Sequence, residues 1–194
     1  KKTISREDVP DQAIHRMRLL HDPEITQIVD RLWPNSKPLS PSALNEEMVK
    51  YAKILKSGKG DADKGRMIYL AQCGMCHRLY DAGGNIGPDL TGYERSNLNY
   101  LLQNIVDPNA YIREGYGVYQ ITTTDGRTLE GKMISRQGEI STFVPPLGGA
   151  PFTLSNAEIK EIKEQQRSVM PERILDRLSE QEVRDLFAYL TKEK

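Results

Sequence analysis

Residues 73–77 read Cys-Gly-Met-Cys-His, and they contain both cysteines and one of the three histidines of the 194-residue chain. This spacing restricts what can form around it. Cys73 and Cys76 lie about one helical turn apart, so both thiols can add to the two vinyl groups on one porphyrin edge, and His77 can turn its imidazole under the ring toward the iron. Cys-x-x-Cys-His is the attachment signature of a c-type haem. Other chemistry uses the same residues. A redox dithiol needs no histidine at the next position and sits in a βαβ setting, which the flanking sequence lacks. A structural zinc ion wants four ligands and would have to recruit the distant His15 or His21. A disulfide this short closes a very small loop and constrains little. One covalent haem is the reading that uses all three side chains, and it leaves no cysteine for a disulfide.

Charge and hydropathy narrow the function classes. With 27 basic and 27 acidic residues, nothing points to nucleic acid or an anionic membrane surface. No apolar run approaches the roughly 20 residues that span a bilayer, and Lys1-Lys2-Thr3-Ile4-Ser5 does not open a signal peptide. Covalent haem attachment implies export to the periplasm or another compartment outside the cytoplasm. A processed chain, or a piece of a longer one, is therefore expected.

The rest of the chain divides by local pattern. Asp22-Pro23-Glu24 reads as a cap, a first-turn proline and an early acid, followed by Ile25, Ile28, Val29 and Leu32 on one helical face. Prolines and serines over 34–42 mark a connection, and a second helix is expected over about 43–56, with Met48 as core. His15 and His21 read as surface residues. Asp61 caps a helix that carries Gly65, Ile68, Tyr69 and Leu70 into Cys73. A glycine-rich loop, 83–92, follows the motif with Pro88 inside it, and no phosphate-binding spacing. Asn97 to Val106 reads as a helix ending at Asp107-Pro108. Alternation around Tyr119, Ile121 and Thr123, the Asp125-Gly126 turn, and β-rich runs near 129–135, 140–144 and 152–154 read as short strands. Ser155-Asn156-Ala157-Glu158 reads as a short turn before a last strand. Ser179-Glu180-Gln181-Glu182 is a capping box with Leu178 and Val183 as its staple, before a final helix.

Gly65 and Tyr69, the Gly87-Pro88-Asp89-Leu90-Thr91-Gly92 loop, and Met170-Pro171 ahead of the last helix are together similar to class I cytochromes c. That resemblance implies that Gly65 lies where the first helix crosses the last, that the Pro88 carbonyl accepts a hydrogen bond from His77, and that Met170 is the sixth iron ligand. It also makes Tyr93 and Arg95 candidates for the haem propionates, with an exposed loop pair as the plain alternative. Of the other methionines, Met17 and Met48 precede the haem motif, Met67 and Met75 lie on its attachment side, and Met133 falls in a strand. The order of haem motif, Asp107-Pro108-Asn109, β segment and Met-Pro further resembles the haem-binding domain at the C-terminal ends of large planctomycete and verrucomicrobial proteins.

The expected fold is mainly α: a class I cytochrome c helical fold with a small inserted β-barrel-like module of the Sm or SH3 kind, and an N-terminal helical arm. The expected divisions are 1–57 for the arm, 58–114 and 169–194 for the two cytochrome parts, and 115–168 for the β module. One-electron transfer with His77 and Met170 as axial ligands is the leading function, serving a redox protein or a fused dehydrogenase domain. A gas sensor or haem enzyme with a displaceable Met170 is a second reading, and a binding module working through the β segment is a third.

Overall fold

Caps written in the sequence open most of the helices. In the computed structural model, which describes residues 5–6, 9, 13–14, 17, 22–34, 40–146, 149–165 and 168–193, Asp22 accepts from the amides of Glu24 and Ile25 at 2.8 and 3.0 Å and starts α1 (Pro23–Leu32). Ser40 caps α2 (Pro41–Lys56), Asp61 caps α3 (Ala62–Gln72), and Asn97 caps α4 (Leu98–Val106). The reciprocal pair of Ser179 and Glu182 opens α5 (Glu180–Thr191). His15, His21 and residues 35–39 of the proline-serine connection lie outside the described residues.

α3 and α5 cross with their backbones in contact. A Cβ on Gly65 would stand 1.9 Å from the Asp185 carbonyl oxygen and 2.9 Å from Tyr189 Cβ, so only glycine fits there. One turn on, the rings of Tyr69 and Tyr189 meet at 5.3 Å. Asp185 is buried beneath this crossing. Its carboxylate accepts the Asp61 amide at 2.8 Å and Gln181 Nε2 at 2.7 Å, which ties the start of α3 to the middle of α5. Leu101, Leu102, Ile105 and Val106 of α4 complete the core, and α2 shares it through Tyr51, whose hydroxyl donates to Asp176 at 3.0 Å.

The expectation of a mainly α fold does not hold. The chain is mixed α and β. Besides a hairpin of β1 (Arg78–Leu79) and β2 (Ala82–Gly83), it contains a five-stranded antiparallel sheet. Its strands are β3 (Val118–Thr123), β4 (Thr128–Gln137), β5 (Ile140–Val144), β6 (Phe152–Ser155) and β7 (Ile159–Gln165), in the order β6-β5-β4-β3-β7. The physical reason is that these strands are no minor excursion from a helical protein. They bury a core of their own, Ile121, Phe143 and Leu154, with Phe143 and Phe152 stacked at 5.4 Å. β4 is long enough to pair with β3 through its first half and with β5 through its second, and an irregularity between Met133 and Ser135 bends it. β6 and β7 are joined by a short 3₁₀ turn at Asn156–Glu158, but no ladder joins them among the described residues, so the sheet is open and bent rather than a closed barrel.

Candidate cofactor site

α3 ends at the Cys-x-x-Cys-His run, and its backbone bonds continue into it. The amides of Cys73 and Gly74 both donate to the Tyr69 carbonyl at 2.8 Å, and the His77 amide donates to the Cys73 carbonyl at 2.9 Å. Tyr69 then reaches forward, its hydroxyl donating to the His77 carbonyl at 2.6 Å. Cys73 and Cys76 are not joined in a disulfide and are half-buried. Burial, with the neighbouring Cys76 second, pushes the Cys73 thiol up to about 12. A dithiol redox centre needs the opposite shift, toward a stable thiolate.

The loop after β2 wraps the histidine. Gly84 donates to the Gly74 carbonyl at 2.8 Å, Gly87 to the Cys76 carbonyl at 2.7 Å, and Leu90 to the Arg78 carbonyl at 2.8 Å. His77 Nδ1 lies 2.9 Å from the Pro88 carbonyl oxygen. A carbonyl can only accept, so Nδ1 carries the proton and Nε2 keeps its lone pair, the arrangement that suits a metal ligand. Burial holds the imidazole below its ordinary proton affinity; the Pro88 carbonyl works against that shift, and the charge of Lys132 adds to it. Gly87 stands against the ring itself. A Cβ there would come within 2.5 Å of the His77 Cε1 atom.

Met170 comes from the segment that follows β7 in the chain. Its amide donates to Ser168 Oγ at 3.1 Å, and the Ser168 amide donates to Asn109 Oδ1 at 2.9 Å. The other end of the same amide group, Asn109 Nδ2, donates to Glu172 Oε1 at 2.7 Å. One side chain thus brackets the methionine from both sides in sequence.

These groups converge on a cavity of about 410 Å³, bordered by Cys73, Cys76, His77, Pro88, Tyr93 and Met170. Apolar side chains that include Ile86, Leu101 and Ile174 make up much of the remaining wall. Among the described residues, Met75 and Met170 are the methionines on this wall. Met75 lies within the attachment turn, while Met48 packs in the helical core, Met67 is 65% exposed and Met133 packs on the sheet. Two thiols, an oriented imidazole and a thioether around an apolar slot fit a haem bonded through its vinyls, with nitrogen and sulfur donors for the iron.

Arg95 does not border this cavity. Its guanidinium donates at 2.8 Å to the carbonyls of Leu190 and Lys192 at the end of α5 and to the Tyr80 hydroxyl, and it lies over the Tyr80 ring at 4.8 Å from the centroid. There it neutralises free carbonyls at a helix C-terminus. Tyr93 does border the cavity, and its hydroxyl accepts from Arg113 Nη1.

Among the residues that sequence reasoning left without a role here are Arg113, Tyr116 and, bonded to the Ile86 carbonyl, Lys132. Arg113 and Tyr116 are on the cavity wall, in a connection with no periodicity to read. Lys132 is buried although strand alternation assigns it to the face opposite Leu129, Gly131 and Met133. Its one legible signal was a lysine amid a β segment otherwise edged by small and polar residues.

No family model matches the chain. Over 57 residues, or 29% of its length, it is 43% identical to a cytochrome c-553-like protein of Synechocystis sp., and the aligned part spans 53% of that relative. The chain thus covers about half the length of a curated cytochrome c-like relative to which it is similar. Among the described residues, no helix is long and apolar enough to cross a membrane.

Proposed function

We propose that this protein carries single electrons on one c-type haem, which Cys73 and Cys76 would hold through their sulfurs and to whose iron His77 and Met170 would give a nitrogen and a sulfur donor. When bound, such a group supplies a one-electron ferric/ferrous couple whose potential is raised by a thioether ligand. The chain's own contribution is to hold and exclude. Pro88 fixes the tautomer and direction of His77, Gly87 leaves room for the ring, and Asn109 keeps the Met170 segment in place. The apolar wall keeps water from the donors. The electron comes from a reduced redox protein or a fused dehydrogenase domain and passes to an oxidised acceptor, with no bond made or broken. In this reading, residues 58–114 and 169–194 form the electron-transfer unit and 115–168 an associated sheet, and the protein works outside the cytoplasm. The relative's printed name and the order of motifs, which resembles the haem-binding domain of planctomycete and verrucomicrobial proteins, support it.

The observation that carries the proposal is the convergence on one cavity of Cys73, Cys76 and His77 with Met170, which follows the five strands in the chain. Absorption spectra of the oxidised and reduced protein, with and without CO, test it. Haem that stays with the denatured chain, a weak long-wavelength band when oxidised, and no CO shift when reduced are expected. Met170→Ala should lose the band and bind CO. Ready CO binding by the unaltered protein would displace electron transfer in favour of a gas-binding or catalytic site.

A further inference from the structure

We infer that Lys132 is a positioning residue of this site: a buried positive charge, supplied by the sheet, that clamps the segment orienting His77 and raises the reduction potential of the bound group. The inference rests on the His77 ligation proposed above.

Lysine seldom remains buried, because its long stem lets the ammonium reach water. Lys132 is 8% exposed. Its Nζ donates to the Ile86 carbonyl at 2.7 Å and stands 3.8 Å from the centroid of the Tyr116 ring, and no carboxylate pairs with it among the described residues. Among the described residues, a π-face and a carbonyl dipole are what compensates it, and burial lowers its proton affinity.

The carbonyl it holds is an informative one. Ile86 C=O and Gly87 N–H belong to a single peptide unit, and that N–H donates to the Cys76 carbonyl at 2.7 Å. The peptide is therefore gripped at both ends, by an ammonium on one side and the attachment turn on the other, and each bond polarises the other. On the same segment, Gly87 touches the His77 ring and Pro88 accepts from it. A charge fixed here disfavours the oxidised, more positive state of the site relative to the reduced one, and low polarity around it limits screening. The sheet is then part of the redox site rather than a separate attachment.

The test is potentiometric, on the haem-loaded whole chain, with Lys132→Met, Lys132→Gln and Lys132→Arg. The two neutral variants should shift the reduced-to-oxidised ratio at a fixed potential about tenfold toward oxidised, equivalent to a drop of about 59 mV for one electron. Lys132→Arg should stay within about twofold of the unaltered protein. Gln keeps a donor for the Ile86 carbonyl, so it separates charge from hydrogen bonding and stands in if Met does not load. Neutral variants that fail to load while Arg loads also support the inference. Neutral variants within about twofold of the unaltered protein would overturn it, as would an Arg variant shifted as far as they are, or failure of all three to load. Absence of covalent haem from the unaltered protein would instead overturn the functional reading beneath it.

Discussion

The two sides of the cavity are held by different means. On the His77 side, backbone bonds from Gly84 and Gly87 stitch the loop to the attachment turn and one from Leu90 ties it to Arg78 of β1, and the orienting contact is itself a backbone carbonyl. On the Met170 side the bracing runs through side chains: Ser168 Oγ, both ends of the Asn109 amide, and the Glu172 carboxylate. Main-chain bonds survive most substitutions, whereas a side-chain bracket disappears with one. The histidine side should therefore tolerate sequence change except where a backbone needs glycine, and the methionine side should depend on a single asparagine.

The sharpest way to break this contrast is Gly87→Ala. The new methyl would overlap the His77 ring at 2.5 Å, and neither the ring, bonded to Pro88, nor the Gly87 amide, bonded to Cys76, is free to retreat. A cost of about 3 kcal/mol, the upper part of the overpacking range, is expected. For a chain of this size that is a fall in Tm of roughly 6–12 °C, and calorimetry of the haem-loaded protein would read it. A loss near zero would mean that the loop shifts easily and that the histidine side is not rigid.

Asn109→Ala is next. It strands the Ser168 amide and removes the Asn109 Nδ2 donor from Glu172, at a cost of about 1–2 kcal/mol in stability. Unlike Gly87→Ala, it should act on the methionine: the long-wavelength band should weaken and CO should begin to bind, while Asn109→Asp, which keeps an acceptor for Ser168, should recover part of the band. An Asn109→Ala protein with an unchanged band would show that the bracket is not what holds Met170.

The smallest effect concerns pH. The Thr91 hydroxyl and amide, with Arg78 adding a little, hold the Asp89 carboxyl below the usual carboxylate range. Because the folded value is the lower one, the stabilisation is complete above the unfolded pKa and is lost as pH falls through the folded one. Tm followed from neutral into acid should fall less steeply in Asp89→Asn than in the unaltered chain. Equal slopes would remove Asp89 from the account of the loop.

Much of the local structure was legible because its causes are local. Asp22, Asp61 and Ser179 sit next to the helices they cap, and Asp125-Gly126 turns the strands beside it. The Cys73–His77 spacing carries its chemistry within five residues, and Gly65 with Tyr69 marks the crossing that α5 completes. The overall class was not legible. A helical resemblance around the haem motif outweighed a β segment whose size shows only when its separate core is seen. Long-range side-chain destinations were equally hidden. Arg95 goes to the end of α5 rather than to the cavity, and Lys132 turns inward, because distant carbonyls receive them and no neighbouring residue announces it.

The pairing of Val118 with Gln165 has a consequence for chain entropy. The sheet begins and ends at one place, so the chain leaves the helical unit and rejoins it through a doorway one ladder wide, which the Asn109–Ser168 bond narrows further. Loop closure costs depend on the unstructured path between two joined points. Once the sheet has formed, that path is the stretch 107–117 on one side and a few residues before Met170 on the other. Met170 is then tethered to α4 almost as if the sheet were absent, and lengthening the distant turn at Gln137-Gly138-Glu139 should leave its effective concentration at the cavity unchanged.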